Sequence, residues 1–491
     1  MGLTDNMHPN LLAGWGEADI TPDNAVVELC GQYYQRLSQG IHSRLKTVVL
    51  VLEQSEACTI MASLDGVGVP EDFLDRLENA MARRFPELAS AKLIINATHT
   101  HCAPVLTPQL SWWEPSLQAL AWNDYQDFLA EKLLEAIAMA WSSRRPCGVA
   151  NVLDFARIGH CRRVVYAGGT AEMYGHTDRH DFMGMESGED SGVDLLFFFD
   201  ELKNPTGVVV NVACPSQVME ATYLVSSDFM GALREKLKQE YGPGFTALCQ
   251  ISAAGCQSPR DLVRNYKGEP DFWHADGVEV LSDRLLQAVK RAYARTAASL
   301  EFQPALSHST VPLSLPKRKV SHSDWLAAQK ELDCLLSVQG EEDAFADFCQ
   351  IVHENERISG RPGPYDSKLH HFVLIKNQQA VVRRYEEQTE APDFSMSLHV
   401  VRLGKVAFAF NPFELFLDYG YRIKAESRAE QTFVVQLANG TGGYLPTVKA
   451  EQLGGYGGLV INGQVGSEGG NRLVAETVTA IHRLWADEGG G

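Results

Sequence analysis

The sequence has no apolar run approaching the roughly 18 residues that cross a bilayer. Its opening, Met1-Gly2-Leu3-Thr4-Asp5-Asn6-Met7-His8-Pro9, lacks the basic-then-apolar order of an export signal. It is poor in positive charge: 43 Lys and Arg stand against 62 Asp and Glu, a formal net charge of −19. Such a surface repels phosphate backbones and anionic headgroups, so neither nucleic acid nor a membrane is expected as a main partner. None of the ten cysteines forms a Cys-x-x-Cys pair. A disulfide framework is therefore not indicated, and a reducing, cytoplasmic setting is expected.

What is present is an ordinary globular composition, 45% hydrophobic, 21% charged and 9% aromatic over 491 residues. That length allows two to four domains or one large body with insertions. Thr47–Leu52, Thr59–Leu64 and Lys92–Asn96 read as β-rich runs, and Glu71–Arg84 between them has helical spacing of Phe73, Leu74, Leu77, Ala80 and Met81. Tyr125–Ser142 continues in the helical register. Leu195–Phe199 and Val208–Ala213 are strand-like again, followed by a helix over Ser227–Tyr241 and a strand over Thr246–Ile251. From about Trp273 to Thr389 the pattern is mostly helical. Ser395–Leu403 and Val406–Asn411 flank the turn Gly404-Lys405 as a hairpin. A helix from about Pro412 to Ser427, a strand over Thr432–Leu437, a glycine-rich stretch and a final helix to Trp485 complete the chain. This alternation predicts an α/β, α+β layered body of mixed sheets flanked by helices, as one composite domain over residues 11–487 with a mostly helical insertion around 273–389. No sequence repeat is evident.

The sharpest local feature is Asn96-Ala97-Thr98-His99-Thr100-His101-Cys102-Ala103-Pro104, at the end of an apolar strand. In an extended chain residues i and i+2 share a face, so His99 and His101 suit a metal ion or a proton-transfer site, and equally a hydrogen-bonded strand end. Cys102 is expected to point away from His101. In Asn411-Pro412-Phe413-Glu414, Asn411 and Glu414 fit a helix cap and capping box, while Glu414 also suits a metal ligand or general base. Around Tyr444, Asn439-Gly440-Thr441-Gly442-Gly443 lets the backbone approach a ligand closely. Ala213–Gln217 and Ala253–Pro259 follow strands and are candidates to line a cleft. Trp112, Trp113, Trp122 and Trp273 suit stacking on a sugar ring or plain core packing.

Taken in order, these pieces resemble the neutral/alkaline non-lysosomal ceramidase family. Gly14-Trp15-Gly16-Glu17-Ala18-Asp19-Ile20-Thr21-Pro22 is similar to its N-terminal signature, and Gly40-Ile41-His42-Ser43-Arg44-Leu45 to its next segment. Ala97–His101 with Ala103-Pro104 resembles its histidine loop, Asn411–Glu414 the stretch with its acidic zinc ligand, and Gly443–Thr447 the stretch with its tyrosine ligand. The resemblance implies a ceramidase-like catalytic domain without the C-terminal immunoglobulin-like domain of larger members. It also implies a divalent metal, zinc in type, with His99, Glu414 and Tyr444 as ligands and His101 and Glu414 as catalytic groups. The metal would activate a water against an amide. Val212-Ala213-Cys214-Pro215-Ser216-Gln217 has no histidine where the family's second zinc histidine falls, and Cys256 stands where the family has an acid. Cys214, Gln217, His42, His176 and His180 are the candidates to fill that gap.

Ceramide sits in a bilayer, whereas an acidic chain with no anchor favours a small soluble substrate, an amide or sugar conjugate. His42, Asp65, Gln217, Trp112 and Tyr444 are the candidates to bind it. Two alternatives remain open: glycoside cleavage with Asp65, Glu220 or Glu414 as acid and base, and a binding protein that lost the metal set. Assembly into a homo-oligomer is undecided by the sequence.

Overall fold

The computed structural model describes residues 10–108, 118–264, 272, 274–356 and 370–486. Three segments of the chain repeat one topology. In the first, strands Leu12–Asp19, Lys46–Gln54 and Ala57–Leu64 lead through helix Glu71–Arg84 to strand Lys92–Ala97 and then helix Trp122–Ser142. In the second the same order runs Gly148–Phe155, Gly192–Phe199, Pro205–Val212, helix Asp228–Tyr241, Thr246–Ile251 and helix Ala275–Tyr293. In the third it runs Leu306–Pro316, Asp393–Leu403, Val406–Phe410, helix Leu417–Glu426, Gln431–Val435 and helix Ser467–Leu484. In every unit the sheet order is fourth, third, second, first strand. The third and fourth strands are parallel and the other neighbours antiparallel.

The side-chain period of two explains why these strands are apolar almost throughout. One face of each sheet packs under its own helices, and the other joins a core shared by all three. In the first unit Val49, Val51, Ile60 and Ile95 face the helices, while Val48, Leu50, Met61 and Ile94 join the shared core. Leu196, Phe198, Val209 and Leu248 enter that core from the second sheet, and Val401, Phe408, Phe410 and Phe433 from the third. The mixed α/β layering expected from the sequence is the observed fold class. The predicted hairpin is present, with Leu403 paired to Val406 and Gly404 at φ 58°, a conformation glycine adopts without strain.

Two local readings need correction. Phe413–Leu415 is a short strand paired in parallel with Gly443–Leu445, and the helix begins only at Leu417. Asn411 therefore does not cap that helix; its Oδ1 accepts from Phe413 N at 3.2 Å, a turn that aims Glu414 at a neighbouring strand. The stretch read as mostly helical also contains the strand Leu306–Pro316. Helices His322–Val338, Glu341–Glu356 and His371–Glu387 lie between the first and second strands of the third unit. They pack around Leu335, Phe348 and Phe372 together with Tyr34 from the first unit. No helix among the described residues is long and apolar enough to cross a membrane.

Candidate active site

The loops that follow the third and fourth strand of each unit gather at one end of the shared core. This is the end where parallel strands of α/β sheets present their sites. The first unit supplies the histidine loop. Its root is fixed by Thr98, whose N donates to Leu64 O at 2.9 Å and whose Oγ1 donates to Asp65 Oδ1 at 3.1 Å. Asp65 accepts from Lys46 N at 2.8 Å and is ion-paired with the buried Arg234. The chain then turns sharply at His99, which has φ 59°. A left-handed histidine is uncommon and is held here by its surroundings. His99 Nδ1 lies 2.7 Å from Val67 O, so Nδ1 carries the proton and Nε2 is left facing inward. His101 Nε2 stands 3.3 Å from His99 Nε2.

The third unit supplies Glu414 and Tyr444, which the short parallel pairing sets side by side. Glu414 Oε2 lies 3.6 Å from His99 Nε2. The second unit supplies Gln217, whose Nε2 is 2.7 Å from His101 Nε2. It also supplies Arg162, which follows the two-residue strand His160–Cys161 and is anchored by Arg162 N donating to Cys256 O at 3.0 Å. The guanidinium donates to Gln217 Oε1, Tyr174 Oη and Tyr444 Oη, each at 3.2 Å, and to Gly255 O at 3.0 Å, with Glu414 Oε2 at 3.7 Å. Behind His101, Glu220 Oε2 lies 3.1 Å from Nδ1, and Arg260 closes on Glu220 Oε1 at 2.7 Å. Tyr456 stands edge-on to Tyr444 with ring centroids 5.4 Å apart, and half of it is open to solvent at the rim.

Burial sets the protonation of these groups. It pushes His101 down to about 4 against the pull of Glu220, so the imidazole is neutral near pH 7. It holds the Tyr444 phenol well above its usual range, helped by Glu414, so the hydroxyl keeps its proton. For Glu220 burial pushes upward, but Arg260 and His101 outweigh it and hold the carboxyl down at about 2.

The structure thus brings together His99, His101, Glu414, Tyr444 and Gln217. Asp65 does not reach them, because both of its oxygens are engaged beneath the histidine loop. His42 lies exposed, with its Nδ1 3.2 Å from Ser226 Oγ and in none of the contacts that join the cluster. Trp112 and Trp113 fall outside the described residues. At the position without a histidine, the Cys214 thiol turns away to Ile158 O at 3.5 Å, and Gln217 is the side chain that reaches in. The Cys102 thiol likewise points away, toward Met219 O at 3.1 Å. Arg162, Tyr174, Arg260 and Tyr456 were not singled out by sequence reasoning. Only Tyr456 carried a visible signal, its flanking glycines Gly454-Gly455 and Gly457-Gly458.

Among the described residues no three His, Cys, Asp or Glu side chains gather around one point. The third donor here is a phenol. His99, Glu414 and Tyr444 are the N and O donors that would hold a divalent ion here, with Glu414 Oε2 3.6 Å from His99 Nε2 and Tyr444 beside Glu414 in the strand pairing. The Val67 carbonyl on His99 Nδ1 fixes the orientation of the imidazole and leaves Nε2 as the nitrogen that could bind an ion.

No protein-family model and no curated protein matches the sequence. Among solved structures, the chain is similar to the crystal structure of neutral ceramidase from Pseudomonas aeruginosa, with a TM-score of 0.69 and 17% identity over 97% of this chain and 75% of that one. It is similar also to a ceramidase complexed with C2, with a TM-score of 0.67 and 15% identity over the same shares. The expectation drawn from the motifs holds at the level of architecture: the chain has the neutral ceramidase fold.

Proposed function

We propose that the protein is a cytoplasmic, metal-dependent hydrolase of a small soluble amide, such as an N-acyl amino sugar or another sugar conjugate. The observation that carries this reading is the convergence of His99, His101, Glu414, Tyr444 and Arg162, contributed by all three units, at the strand ends. A divalent ion, when bound by His99, Glu414 and Tyr444, supplies an activated water and a polarised carbonyl. The chain's own groups do the rest. Arg162, fully buried and already aimed at Tyr444 and Glu414, places fixed positive charge where an oxyanion develops. His101, neutral near pH 7, is suited to take a proton and pass it to the leaving nitrogen.

The facing groups are polar on every side, two imidazoles, a carboxylate, a carboxamide, a guanidinium and phenols. They suit a hydrogen-bonding substrate rather than a pair of lipid tails. Glycoside cleavage is less well served. Asp65 lies below the loop in its pair with Arg234, and Glu220 is held ionised against Arg260. The test is turnover of N-acyl amino sugars, N-acyl amino acids and aryl glycosides by the purified protein, with its metal content measured alongside. Amide cleavage that falls at least a hundredfold in Arg162→Met supports the reading; cleavage of glycosides alone discards it.

A further inference from the structure

We infer that Glu220 is a positioning residue that fixes the tautomer of His101, placing the ring proton on Nδ1 so that the Nε2 lone pair faces the cleft. The argument runs from both edges of the ring. Arg162 can only donate, and its Nη1 lies 3.2 Å from Gln217 Oε1, so the oxygen of that carboxamide is turned to Arg162 and its NH2 to His101. The NH2 can only donate too. At 2.7 Å it requires His101 Nε2 to accept, and Nε2 therefore carries no proton. On the opposite edge Glu220 Oε2 stands 3.1 Å from Nδ1. Arg260 at 2.7 Å from the other oxygen keeps the carboxylate ionised, and an ionised carboxylate can only accept. A proton on Nδ1 is the one arrangement of a neutral ring that leaves Nε2 to accept from Gln217 and sets an N–H rather than a lone pair toward the Glu220 carboxylate 3.1 Å away.

His99 reaches the same state by another route, with its Nδ1 donating to the Val67 carbonyl. Neither Nε2 therefore carries a proton where the two rings stand 3.3 Å apart. The purpose assigned to this arrangement rests on the amide-hydrolase reading, since a base must present a lone pair. The tautomer itself does not rest on it. A carboxylate that served only to neutralise Arg260 would leave the imidazole indifferent to its replacement.

The experiment is ¹⁵N NMR of the full chain labelled at the histidine rings, near pH 7, with His101→Gln assigning the resonance. The expected wild-type pattern is a neutral ring protonated at Nδ1. In Glu220→Gln the amide oxygen kept by Arg260 leaves the new NH2 facing Nδ1, so a donor meets each ring nitrogen and the single Nδ1–H pattern gives way to a mixture of tautomers. In Gln217→Leu the Nδ1–H pattern persists, because Glu220 sets it. Wherever an amide substrate is turned over, Glu220→Gln lowers kcat by about a hundredfold with KM little changed. A wild-type ring protonated at Nε2 or at both nitrogens overturns the inference, as does a Glu220→Gln pattern identical to wild type. The wild-type spectrum decides the matter even if the variant fails to fold. A wild-type protein with the stated tautomer and no amide turnover would instead reject the hydrolase reading and leave this one standing.

Discussion

Gly31 lies directly against the ring of His101: a Cβ built on it would fall 2.2 Å from His101 Cγ, and its backbone has φ 90°. The glycine is the floor on which the imidazole rests. Gly31→Ala combines a clash with a left-handed backbone that alanine rarely adopts. The expected outcome is a loss of about 1–3 kcal/mol in stability, with a larger proportional loss of turnover as the ring is displaced. Urea unfolding and kcat of the folded enzyme, measured together, check it. Full activity in the alanine variant would mean that the ring position is unimportant.

Asp65 and Arg234 are both fully buried and ion-paired. Removing one partner leaves an uncompensated charge, which typically costs about 3–5 kcal/mol. Asp65→Ala is therefore expected to lower the denaturation midpoint sharply and to loosen the histidine loop through Thr98. Asp65→Asn, which keeps an acceptor for Lys46 N, is expected to cost less. Equal midpoints for wild type and Asp65→Ala would show that the pair holds nothing.

A second histidine pair lies on the first two strands of the third sheet, His308 and His399, where that sheet meets Thr59 of the first. His308 Nε2 is 3.0 Å from His399 Nδ1, and His308 Nδ1 is 3.0 Å from Thr59 Oγ1. Burial pushes these groups down to about 2 and about 4, and Lys92 adds to the effect. An unfolded histidine titrates near 6.5, so as pH falls below that value the unfolded chain takes up protons that the folded chain refuses. Stability is thus present in full above pH 6.5 and falls as pH drops toward 4, by at most about 1.4 kcal/mol per pH unit for each histidine. Unfolding free energies at pH 7, 6 and 5 test this, and His399→Gln is expected to flatten the slope. A flat profile in the wild type would contradict a neutral buried pair.

Zinc is expected to stabilise the protein in proportion to its occupancy of the His99, Glu414 and Tyr444 set, by about 2.7 kcal/mol at a hundredfold excess over Kd. The rise in Tm should vanish in His99→Ala and shrink in Tyr444→Phe. An equal rise in all three proteins would place the ion elsewhere.

The secondary structure was legible wherever one face of an element is buried. Phe73, Leu77 and Met81 announce a helix because their spacing matches its period, and they are the buried residues of that helix. Glu414 was legible as a residue of interest but not as part of a strand. Its partner strand lies about thirty residues on, and only tertiary pairing makes Phe413–Leu415 extended. Arg162 was invisible because its place comes from a two-residue strand and a carbonyl of Cys256, neither of which leaves a period in the sequence. The triplicated topology escaped notice for a similar reason. The connectors between the first and second strands, residues 20–45, 156–191 and 317–392, differ so much in length that no fixed spacing survives.

Those unequal connectors also say where the architecture tolerates change. His99, His101 and Gln217 of the candidate site follow strand ends of their own units' sheets, whereas Arg162 and Tyr174 ride on a connector. A lineage built on this plan can therefore lengthen or exchange these links to refit the rim for new molecules while the converging termini stay put. By the same token, no third of the polypeptide could be excised as a working miniature, since each contributes a wall of the common interior as well as a share of the chemistry.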